Sequence, residues 1–125
     1  MSKSIFILCL VCLPAFGFIQ SEEKIQWLTD TQHDFGEIHH KKPAYFNFQF
    51  KNRYSEAVRI DNVRTSCGCT APDWDESFVL PDSIGSIRIK YDAEKLGTFR
   101  KRIKVYFSGQ RKAEKLYIEG EVIPK

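Results

Sequence analysis

Apolar and polar residues alternate with a period of two through most of this chain from Ser21 onward, and that alternation limits the fold more than any other feature. Successive side chains on an extended strand point to opposite faces, whereas a helix would repeat every three or four residues. Phe46, Phe48 and Phe50 share one face and Tyr45, Asn47 and Gln49 the other. Val58 and Ile60 oppose Arg59 and Asp61; Ile87, Ile89 and Tyr91 oppose Arg88 and Lys90. Ile103, Val105 and Phe107 oppose Arg102 and Lys104, and Leu116, Ile118 and Val122 oppose Lys115, Glu119 and Glu121. Each run therefore covers a core on one side and meets water on the other.

The interruptions are short and rich in turn residues: His39 to Pro43, Asn52 to Glu56, Pro81 to Gly85, Ala93 to Gly97 and Gly109 to Ala113. With a segment around Phe35 to Ile38 and a short one at Phe78 to Leu80, the pattern predicts an all-β, immunoglobulin-like antiparallel two-sheet sandwich of about seven strands. Ile25, Trp27 and Leu28 suit an extra edge strand or a packed N-terminal arm. A chain of 125 residues has room for one such core, placed at residues 21–125.

Residues 1–20 read differently. Lys3 gives a positive start, Ile5 to Leu13 is uncharged and apolar, and Ala15 and Gly17 are small, which is the anatomy of a secretory signal peptide. Cleavage is expected after Gly17 or a few residues later. The apolar stretch to Ile19 is shorter than the roughly 20 residues that span a bilayer, so no stable membrane anchor is expected after cleavage. Cys9 and Cys12 follow Leu8 and Val11, which are too large for a lipid-attachment site. The product is expected in the periplasm or outside the cell, where disulfides persist. Loss of Lys3 lowers the formal charge from +3 to +2, and neither value marks a nucleic-acid binder, so no nucleic-acid partner is expected.

Cys67 and Cys69, around Gly68, are the two cysteines that export would leave. One reading is a disulfide: alternate Cα atoms on extended chain lie about 7 Å apart, just beyond the bridging range, and a bend at glycine would close the gap. So small a ring would be easily reduced, which suits disulfide exchange or sensing. A second reading is Cu(I) or Zn binding by the two thiolates with His39 or His40, since antiparallel strands would bring both loops to one end of the sandwich. A third is two small, partly buried side chains at a strand end. No other cofactor is expected.

The remaining candidates read as ordinary sheet chemistry. Arg100, Arg102 and Lys104 form a basic stripe, but a hairpin centred on Gln110 and Arg111 would set Arg102 opposite Glu119 and Arg100 opposite Glu121. Asp73, Asp75 and Glu76 surround Trp74 without a glycine turn or further ligands at calcium-loop spacing. No nucleophile elbow, phosphate loop or dinucleotide fingerprint occurs, so enzymatic catalysis is not expected outside a thiol redox role.

Phe35-Gly36-Glu37-Ile38, Phe48-Gln49-Phe50-Lys51-Asn52, the run Ile60-Asp61-Asn62-Val63-Arg64-Thr65-Ser66-Cys67-Gly68-Cys69-Thr70, Gly97-Thr98-Phe99 and Ile118-Glu119-Gly120-Glu121-Val122 together resemble, in order, the bacterial domain-of-unknown-function family 1573. The resemblance covers about Gln32 to Ile123 and implies an exported immunoglobulin-like domain related to the major sperm protein and Hydin types, with no established activity. The sequence thus points to a binding or accessory domain of the cell envelope, with a protein or cell-surface polymer as partner. The alternative is a thiol protein using Cys67 and Cys69.

Overall fold

The alternation at Tyr45 to Phe50 becomes the middle of a sheet, because Phe48 and Phe50 lose all solvent contact while Asn47 and Gln49 stay exposed. The computed structural model describes Gly17 and residues 23–125; the expected leader, Gly17 apart, lies outside the described residues. Eight strands follow in order: β1 (Ile25–Trp27), β2 (Gln32–His39), β3 (Ala44–Asn52), β4 (Ile60–Thr65), β5 (Thr70–Trp74), β6 (Ile84–Tyr91), β7 (Gly97–Phe107) and β8 (Glu114–Ile123). They form two four-stranded sheets, the first in the order β1-β3-β6-β5 and the second in the order β2-β8-β7-β4.

Several details differ from the sequence reading. The pairing is antiparallel except between β2 and β8, which run parallel, with Gln32 beside Tyr117 and His39 beside Ile123. Alternation reports which face is buried and carries no information on pairing direction. The direction is set by the crossing after β1, where the Leu28 amide still bonds Gln49 in the first sheet and Thr31 already accepts from Tyr117 in the second. Next, the expected short strand at Phe78 to Leu80 is a single bridge between Val58 and Val79.

Finally, the segment after the cysteines, to which the alternation assigns no strand, is strand β5. Its Pro72 disguises it, since proline in the middle of a sheet removes a ladder bond. Here β5 is an edge. The Asp92 amide donates to the Cys69 carbonyl, so the antiparallel alternation turns Ala71 and Asp73 towards β6 and leaves Pro72 facing away, where no N–H is needed.

Between the sheets lie Phe48, Phe50, Ile87 and Ile89 from one and Ile103, Val105, Leu116 and Ile118 from the other, all fully buried. Each such side chain stabilises the fold by about 1.5–3 kcal/mol relative to an exposed one. Trp27 closes the β1 side, its ring centroid 5.7 Å from Phe50 and 6.2 Å from Phe107. Asn52 is polar yet wholly buried. Its amide Nδ2 donates to the carbonyls of Glu56 and Val79, each at 2.9 Å, and its Oδ1 accepts from the Tyr54 amide at 2.8 Å, which folds the β3–β4 connection over the end of the sandwich.

The β7–β8 hairpin also departs from expectation. Arg100 stands opposite Glu119, Arg102 opposite Tyr117 and Lys104 opposite Lys115, an offset of two residues from the predicted pairing. Gly109, at φ 81°, supplies a left-handed turn directly after β7 and so moves the reversal earlier. An offset of two keeps every side chain on its face but exchanges its partners.

Candidate functional site

Thr65 ends β4 and Thr70 begins β5, so the four residues between them carry the chain from the second sheet to the first. Cys67 and Cys69 are joined there by a disulfide, with their Cα atoms 5.3 Å apart. Around the bond the backbone is well tied. The Thr65 hydroxyl reaches the carbonyls of Cys67 and Thr70, each at 3.1 Å, and the Asp92 amide bonds the Cys69 carbonyl at 2.9 Å. Both cysteines are half-buried, Cys69 packing against the core, while Ser66 and Gly68 are exposed with open space beside Gly68.

The histidines named from the sequence sit at the same end, but the His40 ring is engaged elsewhere and the His39 side chain is exposed. The ring Nε2 of His40 lies 3.0 Å from the Glu94 carbonyl, and His39 pairs along β2 with Ile123. The segment Asp92 to Glu94 binds the cysteine loop through Asp92 and the histidine loop through Ala93, whose carbonyl accepts from Lys41. Among the described residues no group of three or more His, Cys, Asp or Glu side chains is placed to hold a metal ion.

A larger feature escaped the sequence reading. Phe78, Leu80 and Ile84 are 58, 64 and 60 % exposed, and they surround an open cleft of about 780 Å³ beside β5 and β6. Trp74, Phe50 and Val79 form apolar parts of its wall, and Asp73, Asp75 and Arg88 its polar parts. The Trp74 indole N–H donates to the Ile60 carbonyl at 3.3 Å, fixing the ring where the edges of the two sheets meet. Hydrogen bonds from Ser77 hold the Asp75 carboxyl below the usual carboxylate range, and the Arg88 guanidinium lies over the Tyr45 ring at 4.3 Å. One signal was available beforehand: Ile84 is out of phase with Ile87 and Ile89, so an apolar side chain had to face outward.

The basic stripe also gains a different setting. Arg100 still faces a carboxylate, Glu119, but Arg102 faces Tyr117, and Arg64 on β4 faces Lys104, which in turn faces Lys115. Arg64 lies over Tyr106 and Arg100 over Tyr117, at 5.5 and 4.6 Å from the ring centroids.

Residues 25–122 match the model of a family described as "Protein of unknown function (DUF1573)". Among solved structures the chain is similar to a protein of unknown function from Porphyromonas gingivalis W83, at 16 % identity and a TM-score of 0.67. That match covers 78 % of this chain and 46 % of the other, so the chain spans less than half of that relative. It is also similar to the ASH / PapD-like domain 7 of human CEP192, at 8 % identity and a TM-score of 0.69, over 82 % of this chain and 87 % of that domain. The Vibrio cholerae VesB protease contains a similar region, at 13 % identity and a TM-score of 0.64, over 79 % of this chain and 32 % of the protease. At such identities the likeness is one of fold. No curated protein matches the chain.

Proposed function

We propose that this chain, which belongs to the DUF1573 family, is an exported, non-enzymatic binding or accessory module of the bacterial cell envelope. The observation that carries the reading is the cleft beside β5. Apolar side chains exposed singly are ordinary, but Phe78, Leu80 and Ile84 gather around one concavity, and grouped apolar exposure marks an interaction site. The lining includes Ser77, Ser83 and Ser86 but no histidine or lysine, and the Asp75 carboxyl bonded by Ser77 is held below the usual range, which makes it a poor base, so the cleft favours binding over bond cleavage.

The occupant that fits is an extended segment of a protein partner with a bulky apolar side chain next to lysine or arginine. The apolar side chain fills the space among Trp74, Phe78 and Leu80, and its cationic neighbour meets Asp73 and Asp75, while Arg88 is drawn towards Tyr45. Selection from a library of displayed random peptides tests this. Enriched sequences should combine an aromatic or long aliphatic residue with a cation, and should lose binding to the variant Leu80→Asp/Ile84→Asp. Binders indifferent to that variant would remove the cleft from the proposal, and turnover of any compound in a broad hydrolase and oxidoreductase screen would overturn the non-enzymatic reading.

The Cys67–Cys69 bond supports a second reading, thiol–disulfide exchange with an exported dithiol. The donor's two sulfurs would join as a disulfide while Cys67 and Cys69 take up two electrons and two protons and become thiols. Alkylation and mass spectrometry of protein taken directly from the exporting cell would show a reduced fraction. A pair that stays fully oxidised in the presence of a periplasmic-type dithiol would end this alternative.

A further inference from the structure

The solvent face of the second sheet divides into a basic and an acidic half. Arg64, Arg102, Lys104 and Lys115 occupy one half; Asp34 beside Glu119 and Glu37 beside Glu121 occupy the other, with Arg100 opposite Glu119 among them. Among the described residues the ion pair formed is Arg59–Asp61, which uses none of these cations. Arg64, Lys104 and Lys115 lie directly opposite one another across three strands, a row of like charge about 10 Å long at the usual strand spacing. Like charges facing each other across a sheet are unfavourable, so the free domain carries an arrangement that a bound anion would relieve.

Local geometry adds to the charge. Arg64, Arg102 and Lys104 line a small cavity of about 210 Å³, together with Ser66 and Tyr106, and no carboxylate lines it. The Thr65 hydroxyl at its edge is already turned to two backbone carbonyls, which leaves the exposed Ser66 as the free hydroxyl of the loop. The cation–π contact with Tyr106 favours one placement of the Arg64 guanidinium before any ligand arrives, so less freedom is lost when its planar fork engages an anion. Ser66 adjoins the Cys67–Cys69 bond, which helps to hold this wall in place.

We propose that this cavity binds a sulfate or phosphate ester group of a linear anionic polysaccharide, with the row Arg64, Lys104 and Lys115 following the polymer. Donors converge from β4, from β7 and from the loop, more than the two oxygens of a carboxylate would use, whereas an ester of sulfuric or phosphoric acid presents three free oxygens. A flat anionic bilayer fits less well, because it would press Asp34, Glu37, Glu119 and Glu121 against like charge. No exposed large apolar side chain lines the cavity to insert into lipid. The site shares no residue with the cleft beside β5, so either proposal can fail without the other.

Calorimetric titration with dextran sulfate tests the proposal, with neutral dextran, poly-glutamate and phosphatidylglycerol-containing vesicles as comparison probes. The variant Arg102→Glu/Lys104→Glu should weaken dextran sulfate binding by at least about tenfold, while Lys95→Glu/Lys112→Glu, with the same change in net charge, should weaken it by less than about threefold. Lys104→Glu places a carboxylate between Arg64 and Lys115, so this variant should fold at least as well as the original. Dextran sulfate should also raise the melting temperature of the original protein and leave that of Arg102→Glu/Lys104→Glu unchanged. Equal losses in the two variants, equal binding of poly-glutamate or of vesicles, or no binding of dextran sulfate would each overturn the proposal.

Discussion

His33 was passed over in the sequence, yet it is one of the more informative side chains. It stacks on Phe46 with ring centroids 3.7 Å apart and planes within 10°, and meets the edge of Phe35 at 4.6 Å. Burial among these rings lowers its pKa from the usual 6.5, and the Asp34 charge offsets this only in part. A histidine that binds its proton less readily when folded stabilises the fold fully above the unfolded-state pKa and loses that contribution as pH falls through and below it. The melting temperature should therefore decline as pH falls below about 6.5, and His33→Phe, which keeps the stack, should flatten that decline; equal slopes for the two proteins would refute the assignment. Gly120 shows the same dependence on contact. A Cβ there would lie 2.9 Å from the Gly36 carbonyl oxygen and 2.9 Å from the Phe99 ring, so β8 can pass beneath that ring only with glycine at this position. Neither residue announces its role locally, because each role depends on neighbours distant in the chain.

At the scale of elements, the corner between β4 and β5 illustrates how much a short connection has to do. Four residues reverse the chain and move it between sheets, and the hydroxyl of Thr65 and the indole of Trp74 bond carbonyls on the facing edges of β5 and β4. The disulfide within this corner closes a very small loop, for which chain entropy gives a stabilisation of about 1–2 kcal/mol. Cys67→Ser/Cys69→Ser should therefore fold, with urea denaturation showing a loss of that size and an unchanged slope; complete unfolding would mean that the bond is required to form the corner. The cysteines and the bend at Gly68 could be picked out from spacing, but β5 could not. Its proline argues against a strand until its place at an edge is known. The β7–β8 hairpin is a milder case, in which both faces were legible while the register waited on a glycine turn.

For the whole molecule, the pairing with the longest reach is β2 beside β8, which joins Gln32 to Tyr117 across most of the domain. Loop closure has to precede such a contact, so refolding is expected on the order of milliseconds to seconds; stopped-flow fluorescence from Trp27 and Trp74 would measure it, and microsecond folding would contradict this topology. The same long-range assembly created both proposed sites. The alternation of Phe, Ile and Val by itself determined that the chain forms strands and which faces they bury, because period and burial are local properties of an extended backbone. The number and spacing of the runs pointed to a two-sheet sandwich. Which strands became neighbours, whether they run parallel, and therefore which cations stand beside one another and which apolar side chains surround a cleft, were decided only by tertiary structure. Those outcomes depend on register and crossing between segments far apart in sequence, which no local pattern encodes.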